Sequence, residues 1–167
     1  MDRAAISFEK AGPEDWPEIW GIIRRVVATG DTYPYPPDIS ENGALAIWMR
    51  DGDREATYLA RLDGEIVGTA YVRANGVGLS DHICNAGWMI SPAHQGRGIG
   101  RPFADHVIEQ ARSFGYRAMQ FNAVVATNTG AIALWESLGF EIVGTVPEAF
   151  RHGTEGLTAV HVMYRRL

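Results

Sequence analysis

The chain has 167 residues, 46% of them hydrophobic and 21% charged, with a formal net charge of -5. This length suits one domain built on one core, so residues 1–167 are expected to form a single unit. The acidic balance lacks the basic footprint of a nucleic-acid binder, although local backbone dipoles can still hold a small anion.

The opening MDRAAISFEK has no long apolar stretch, so it does not read as a signal peptide. A first strand is expected over 4–10, with Ile6 and Phe8 alternating. Pro13 suits the start of a helix running to about Ala28, with Trp16, Ile19, Trp20, Ile23 and Val27 on one face. Three prolines keep Gly30–Asp38 irregular. Ser40 can cap a second helix to about Arg50. Strands over 57–62 and 65–73 are joined by Asp63-Gly64, a tight hairpin signal. A fourth strand covers 82–90. It contains the only cysteine, Cys84, which reads as a small apolar residue and suits a reducing cytoplasm.

A glycine-rich turn at 95–100 leads into a helix ending near Gly115. A fifth strand covers 117–125, and Asn128 opens a helix that stops at Gly139. The last strands lie near 140–146 and 157–165. Strands and helices alternate in the middle and strands pair at the ends, which predicts a mixed α/β sheet with helices on both faces. No run approaches the ~20 apolar residues of a membrane span, so neither a membrane nor a nucleic acid is expected as partner. No metal site is expected.

The turn Gln95-Gly96-Arg97-Gly98-Ile99-Gly100 carries the first chemical signal. Alternate glycines let backbone approach a ligand closely, and free N–H groups at a helix N-terminus favour an anion. A phosphate or pyrophosphate is expected there. A P-loop needs GxxxxGK[ST], which is absent. A dinucleotide fold needs GxGxxG after the first strand, and this turn lies mid-chain.

These residues resemble the GNAT superfamily of N-acetyltransferases. The acyl-CoA turn Q/R-x-x-G-x-G/A is matched from Gln95 to Gly100. A second signature is matched by Asn128, Ala131, Trp135, Gly139 and Phe140. The resemblance implies a mostly antiparallel sheet of six to seven strands, splayed between strands four and five to admit the pantetheine of acetyl-CoA. It assigns the pantetheine amides to main chain near Met89 and Ile90. It assigns the pyrophosphate to the N–H groups from Gly96 to Arg101 (Gly96, Arg97, Gly98, Ile99, Gly100, Arg101). It places Asn128 and Ala131 beside the CoA arm, and Tyr33 and Tyr35 around the acceptor.

HICNAGWMISP, FNAVVATNTGAIALWESLGF and GTVPEAFRH are similar to the azetidine-2-carboxylate (proline-analogue) N-acetyltransferase branch. That likeness makes Asn85 and Asn122 the residues that bear on substrate or catalysis. It implies acetyl transfer to the amine of a small molecule, with an amino acid or an analogue among the expected acceptors. A homodimer is an expected assembly. The competing readings are an inactive acyl-CoA-binding sensor module and a protein N-acetyltransferase.

The chain departs from the family at Trp135, where many members have a tyrosine that protonates the leaving thiolate. An indole N–H does not titrate in that way, so Trp135 reads as core. A CoA thiolate, with a pKa near 8.5 like that of Cys, can leave with hydrogen-bond help alone. No carboxylate stands out as base, and water can take the proton instead. His82 reads as a strand-end residue. Arg151 and His152 read as part of a solvated hairpin after Pro147.

Overall fold

The computed structural model describes residues 5–167, so residue 4 of the expected first strand lies outside the described part. The elements in chain order are β1 (Ile6–Lys10), α1 (Trp16–Val27), α2 (Glu41–Trp48), β2 (Asp51–Gly52), β3 (Glu55–Leu62), β4 (Glu65–Ala74), β5 (Ile83–Ile90), α3 (Gly100–Ser113), β6 (Ala118–Val125), α4 (Thr129–Ser137), β7 (Glu141–His152) and β8 (Gly156–Arg166).

Local chemistry sets most boundaries. Pro13 opens a short 3-10 turn, and α1 follows with Pro17 in its first turn. The Ser40 hydroxyl accepts the Gly43 N–H at 3.1 Å and caps α2. Asp63 and Gly64 have φ of 50° and 88°, the double positive φ of a type I′ hairpin turn. Gly139 ends α4 at φ +84°.

The strand order is β1-β3-β4-β5-β6-β8-β7, with β2 added on β3, which makes eight strands. The strand beyond the expected seven is the two-residue β2, too short to leave a periodic signal. The expected strand at 140–146 also continues to His152. Its ladder skips from Val146 to Phe150, and this bulge houses Pro147 without breaking the pairing. Arg151 and His152 pair with Leu157 and Gly156, in the hairpin expected for them.

Helices cover both faces. Ile19, Ile22 and Ile23 of α1 and Trp48 of α2 pack on Leu59, Tyr71 and Met89. Phe103 and Val107 of α3 and Trp135 of α4 share the opposite core with Tyr58, Val72 and Phe121. His106 of α3 lies on that second face, against Phe8 and Tyr58. Burial lowers its pKa below 6.5. A lowered pKa means that the unfolded chain binds the extra proton. The native state is therefore favoured above about pH 6.5 and loses this advantage as pH falls toward the folded pKa. Urea midpoints should fall more steeply from pH 7.5 to 5.5 in the wild type than in His106→Gln. Parallel pH profiles would refute this assignment.

One seam decides where a ligand can enter. β5 and β6 are parallel and pair only through Ile83↔Ala118 and Cys84↔Met119. Beyond Cys84 the two strands part. The Asn85 side chain sits at the fork, and its Oδ1 accepts the Ala86 N–H at 2.8 Å. That donor would otherwise face the gap unpaired, so the amide replaces the next rung of the ladder.

Candidate active site

The main-chain phase of β5 shows what faces the gap. Ser91 N–H donates to Val67 O, and Ile83 O accepts from Asn75 N, both at 2.8 Å. Odd-numbered residues of β5 therefore bond β4, and Ala86, Trp88 and Ile90 turn their peptide groups to the gap. This corrects the placement expected for Met89. Its side chain is buried under α1 and α2, and its peptide groups belong to the β4 ladder. Ile90 keeps a gap-facing position.

The Trp88 peptide is bridged by Tyr33, whose hydroxyl donates to Trp88 O at 2.5 Å and accepts from Trp88 N at 2.9 Å. Burial raises the Tyr33 pKa well above 10.0. Tyr35 stacks on Tyr33 with centroids 5.5 Å apart. The proline-rich loop thus folds over the gap. It is tied at its start, where Gly153 N–H donates to Gly30 O at 2.9 Å.

Two cavities meet here. A chamber of about 290 Å³ lies between the loop and the parted strands, and Asn85 and Asn122 line it. A groove of about 770 Å³ runs past Ile90 and the glycine turn to α4. Thr32, Tyr33, Trp88, Asn128, Ala131 and Trp135 border both cavities, so the two adjoin at this wall. Among the described residues, Thr32 Oγ1 and Trp88 Nε1 are buried on it without a hydrogen-bond partner. A buried unpaired donor costs ~1–3 kcal/mol, so these atoms mark where a ligand's polar groups fit.

The glycine turn closes the far end of the groove. Gly96 and Gly98 have φ of +74° and +76°, and a Cβ at either would meet nothing within 4 Å. Their need for glycine is conformational. α3 begins at Gly100 with no acidic residue in its first turn, which leaves its N-terminus open to an anion. Gln95 and Arg97 are exposed beside it, and Ile99 is buried. Arg101 donates from Nη1 to Ser137 Oγ at 2.9 Å and joins α3 to α4.

The asparagines differ in their engagement. Asn85 uses Oδ1 on Ala86, and its Nδ2 has no protein acceptor among the described residues. Asn122 is exposed at the rim, donating to Asn75 Oδ1 at 2.7 Å and accepting from Gln120 Nε2 at 3.0 Å. Asn128 caps α4 by accepting the Ala131 N–H at 3.4 Å. Trp135 packs against Trp88, Phe121 and Phe140 with centroids 4.8–5.9 Å away. Trp135→Phe should keep most turnover and cost about 1 kcal/mol of stability by incomplete filling. Initial rates and urea melts check both. A large loss of turnover in a folded protein would give the indole a chemical role.

Among the described residues, none that lines the chamber is a carboxylate. His152 Nδ1 accepts the N–H groups of Thr154 and Glu155, both at 3.1 Å, and is spent on its turn. His82 is exposed at the start of β5. Cys84 donates to Ala118 O at 3.4 Å, and burial raises its pKa to about 12, which removes it as a nucleophile. Sequence reading missed Thr32, Trp88, Tyr71 and Arg73 as chamber residues. A signal was available for Arg73, a lone charge ending the apolar run VGTAYVRA.

The splayed sheet, the glycine turn and the bordering groove define an acyl-CoA-dependent transferase fold. Residues 16–140 match the model of the Acetyltransferase (GNAT) family. The chain belongs to this family, whose class of reaction is acetyl-CoA-dependent N-acyl transfer. The structure of a GCN5-related N-acetyltransferase from Kribbella flavida is similar at 42% identity and a TM-score of 0.93, covering 98% of each chain. The N-acetyltransferase aca1 of Schizosaccharomyces pombe is 38% identical over 98 residues, 58% of this chain and 47% of that protein. The L-methionine sulfoximine/L-methionine sulfone acetyltransferase of Salmonella typhimurium is 36% identical over 59 residues, 35% of this chain and 34% of that protein. The match thus spans less than half the length of these two curated relatives. Among the described residues, no helix is long and apolar enough to cross a membrane, and no group of three His, Cys, Asp or Glu could hold a metal.

Proposed function

We propose that the protein moves the acetyl group of acetyl-CoA directly to the amine of a small molecule, as in the azetidine-2-carboxylate branch that its asparagines resemble. The observation that carries this reading is the chamber of about 290 Å³ that adjoins the groove at the β5–β6 gap. In this reading the N–H groups from Gly96 to Arg101 hold the pyrophosphate, and main chain at Ile90 bonds the pantetheine. Asn128 and Ala131 flank the arm. The thioester then lies at the wall of Tyr33 and Trp88.

The amine nitrogen bonds to the thioester carbon, the C–S bond breaks, and the CoA thiolate leaves. The Asn85 Nδ2 is a donor for the carbonyl oxygen as it gains charge. With no carboxylate among the described residues of the chamber, the amine proton passes to solvent at the rim near Asn122. The Tyr33–Tyr35 loop roofs the chamber, which favours a small acceptor over a protein chain. Exposed Ile142, Val143 and Val146 on the edge strand β7 support a homodimer, and the single buried thiol suits a reducing cytoplasm.

The test is amine-dependent CoA release across a panel of small amines and peptide N-termini. Release and N-acetyl product with small amines are expected. Acetyl-CoA binding without turnover on any amine would return the chain to a binding module. Turnover on peptides alone would make it a protein acetyltransferase.

A further inference from the structure

We infer that Arg73 anchors a carboxylate on the acceptor, so that the substrate is an amino acid or a related amino carboxylate. This deepens the small-molecule reading above and rests on it. Arg73 lies near the end of β4, two residues after Tyr71 and therefore on the same face of the strand. Its guanidinium carbon sits 5.1 Å from the centroid of the Tyr71 ring, and both residues line the chamber. Arg73 does not line the groove, so its charge is not placed for the phosphates of CoA.

Its surroundings lack a counter-ion. Arg50, Arg54, Arg61 and Arg112 each sit against a carboxylate. Among the described residues, the Arg73 guanidinium has no such partner and makes no hydrogen bond. Among the described residues it is the one charged side chain on the chamber wall, in a chain whose net charge is -5. A half-buried cation without a partner is costly, and the flat guanidinium fork fits a carboxylate through two parallel bonds.

The register adds a distance. Arg73 and Asn85 are direct partners across β4 and β5. Side chains so paired lie on one face, with Cβ atoms ~5 Å apart. A carboxylate held by Arg73 therefore sets an amine one carbon away beside Asn85, at the fork where β5 leaves β6. The same charge repels a second ammonium, so diamines are poor acceptors.

The experiment measures initial rates with saturating acetyl-CoA on the protein L-amino acids, L-proline included. Each is paired with its primary amide and its decarboxylated amine. The wild type should prefer the best acid over its amide by ~10²-fold in kcat/KM, the size expected for a charged hydrogen-bonding partner. Arg73→Gln should lose that preference, mainly through KM for the acid, and Arg73→Lys should recover part of it. Unchanged CoA binding and melting temperature show that the variants are folded. The anchor is overturned if amides and plain amines react as fast as acids, or if Arg73→Gln lowers all acceptors equally. If the wild type acetylates no small amine while binding acetyl-CoA, the small-molecule reading itself fails and the anchor falls with it.

Discussion

Gly98→Glu should abolish acetyl-CoA binding in a protein that still folds. Gly98 has φ +76°, and a Cβ there would meet nothing within 4 Å, so the side chain itself has room. The backbone strain is ~1–2 kcal/mol, borne by an exposed turn. The carboxylate would lie among the N–H groups that precede α3, where no acidic residue now stands. Repulsion and occupation of the anion site then act together. Gly98→Ala carries the strain without the charge and should weaken binding much less. Calorimetric titration of both variants with CoA decides the matter. Unchanged affinity in a folded Gly98→Glu protein would remove the pyrophosphate from this turn.

Asn85→Ala should lower turnover by ~10²–10³, about 3–4 kcal/mol of barrier, which is the usual cost of one preorganised donor. CoA affinity should stay near normal, because the proposed cofactor contacts are mostly main-chain. The structure adds a complication, since Asn85 also holds the Ala86 N–H. Asn85→Asp keeps an oxygen for Ala86, removes the Nδ2 donor and sets a carboxylate opposite Arg73, so it should fold normally and still transfer poorly, through loss of the donor and of the anchor together. Asn122→Ala should cost less, because its amide is exposed and already bonded to Asn75 and Gln120. Initial rates on the best acceptor, paired with CoA titrations, test all three. Near-normal rates in both Asn85 variants would make the residue only a fork in the sheet. A loss of CoA affinity in proportion to rate would put it on the cofactor side.

Much of this arrangement was legible because it rests on local rules. Asp63-Gly64, Ser40, Gly115 and Gly139 mark turns and caps by backbone chemistry that neighbours cannot override. The glycine turn and Asn128 were legible for the same reason. The phase of β5 was not. Nothing in HICNAGWMI says which peptide groups meet β4, so Met89 and Ile90 read alike until the ladder separates them. Arg73 and Tyr71 were hidden because a strand pattern gives two faces without saying what covers either. Thr32 and Trp88 declare themselves only as donors left unpaired after folding. The run of β7 past Pro147 was missed because a proline reads as a stop, and only the bulge shows how it is accommodated.

A crystal structure of the protein with CoA bound tests this site most directly. The pyrophosphate is expected on the N–H groups from Gly96 to Arg101 and the pantetheine between β5 and β6 beside Ile90. The thiol is expected at the Tyr33–Trp88 wall, facing the chamber of Asn85 and Arg73. CoA bound elsewhere, or a continuous β5–β6 ladder that leaves no gap for the arm, would contradict this placement.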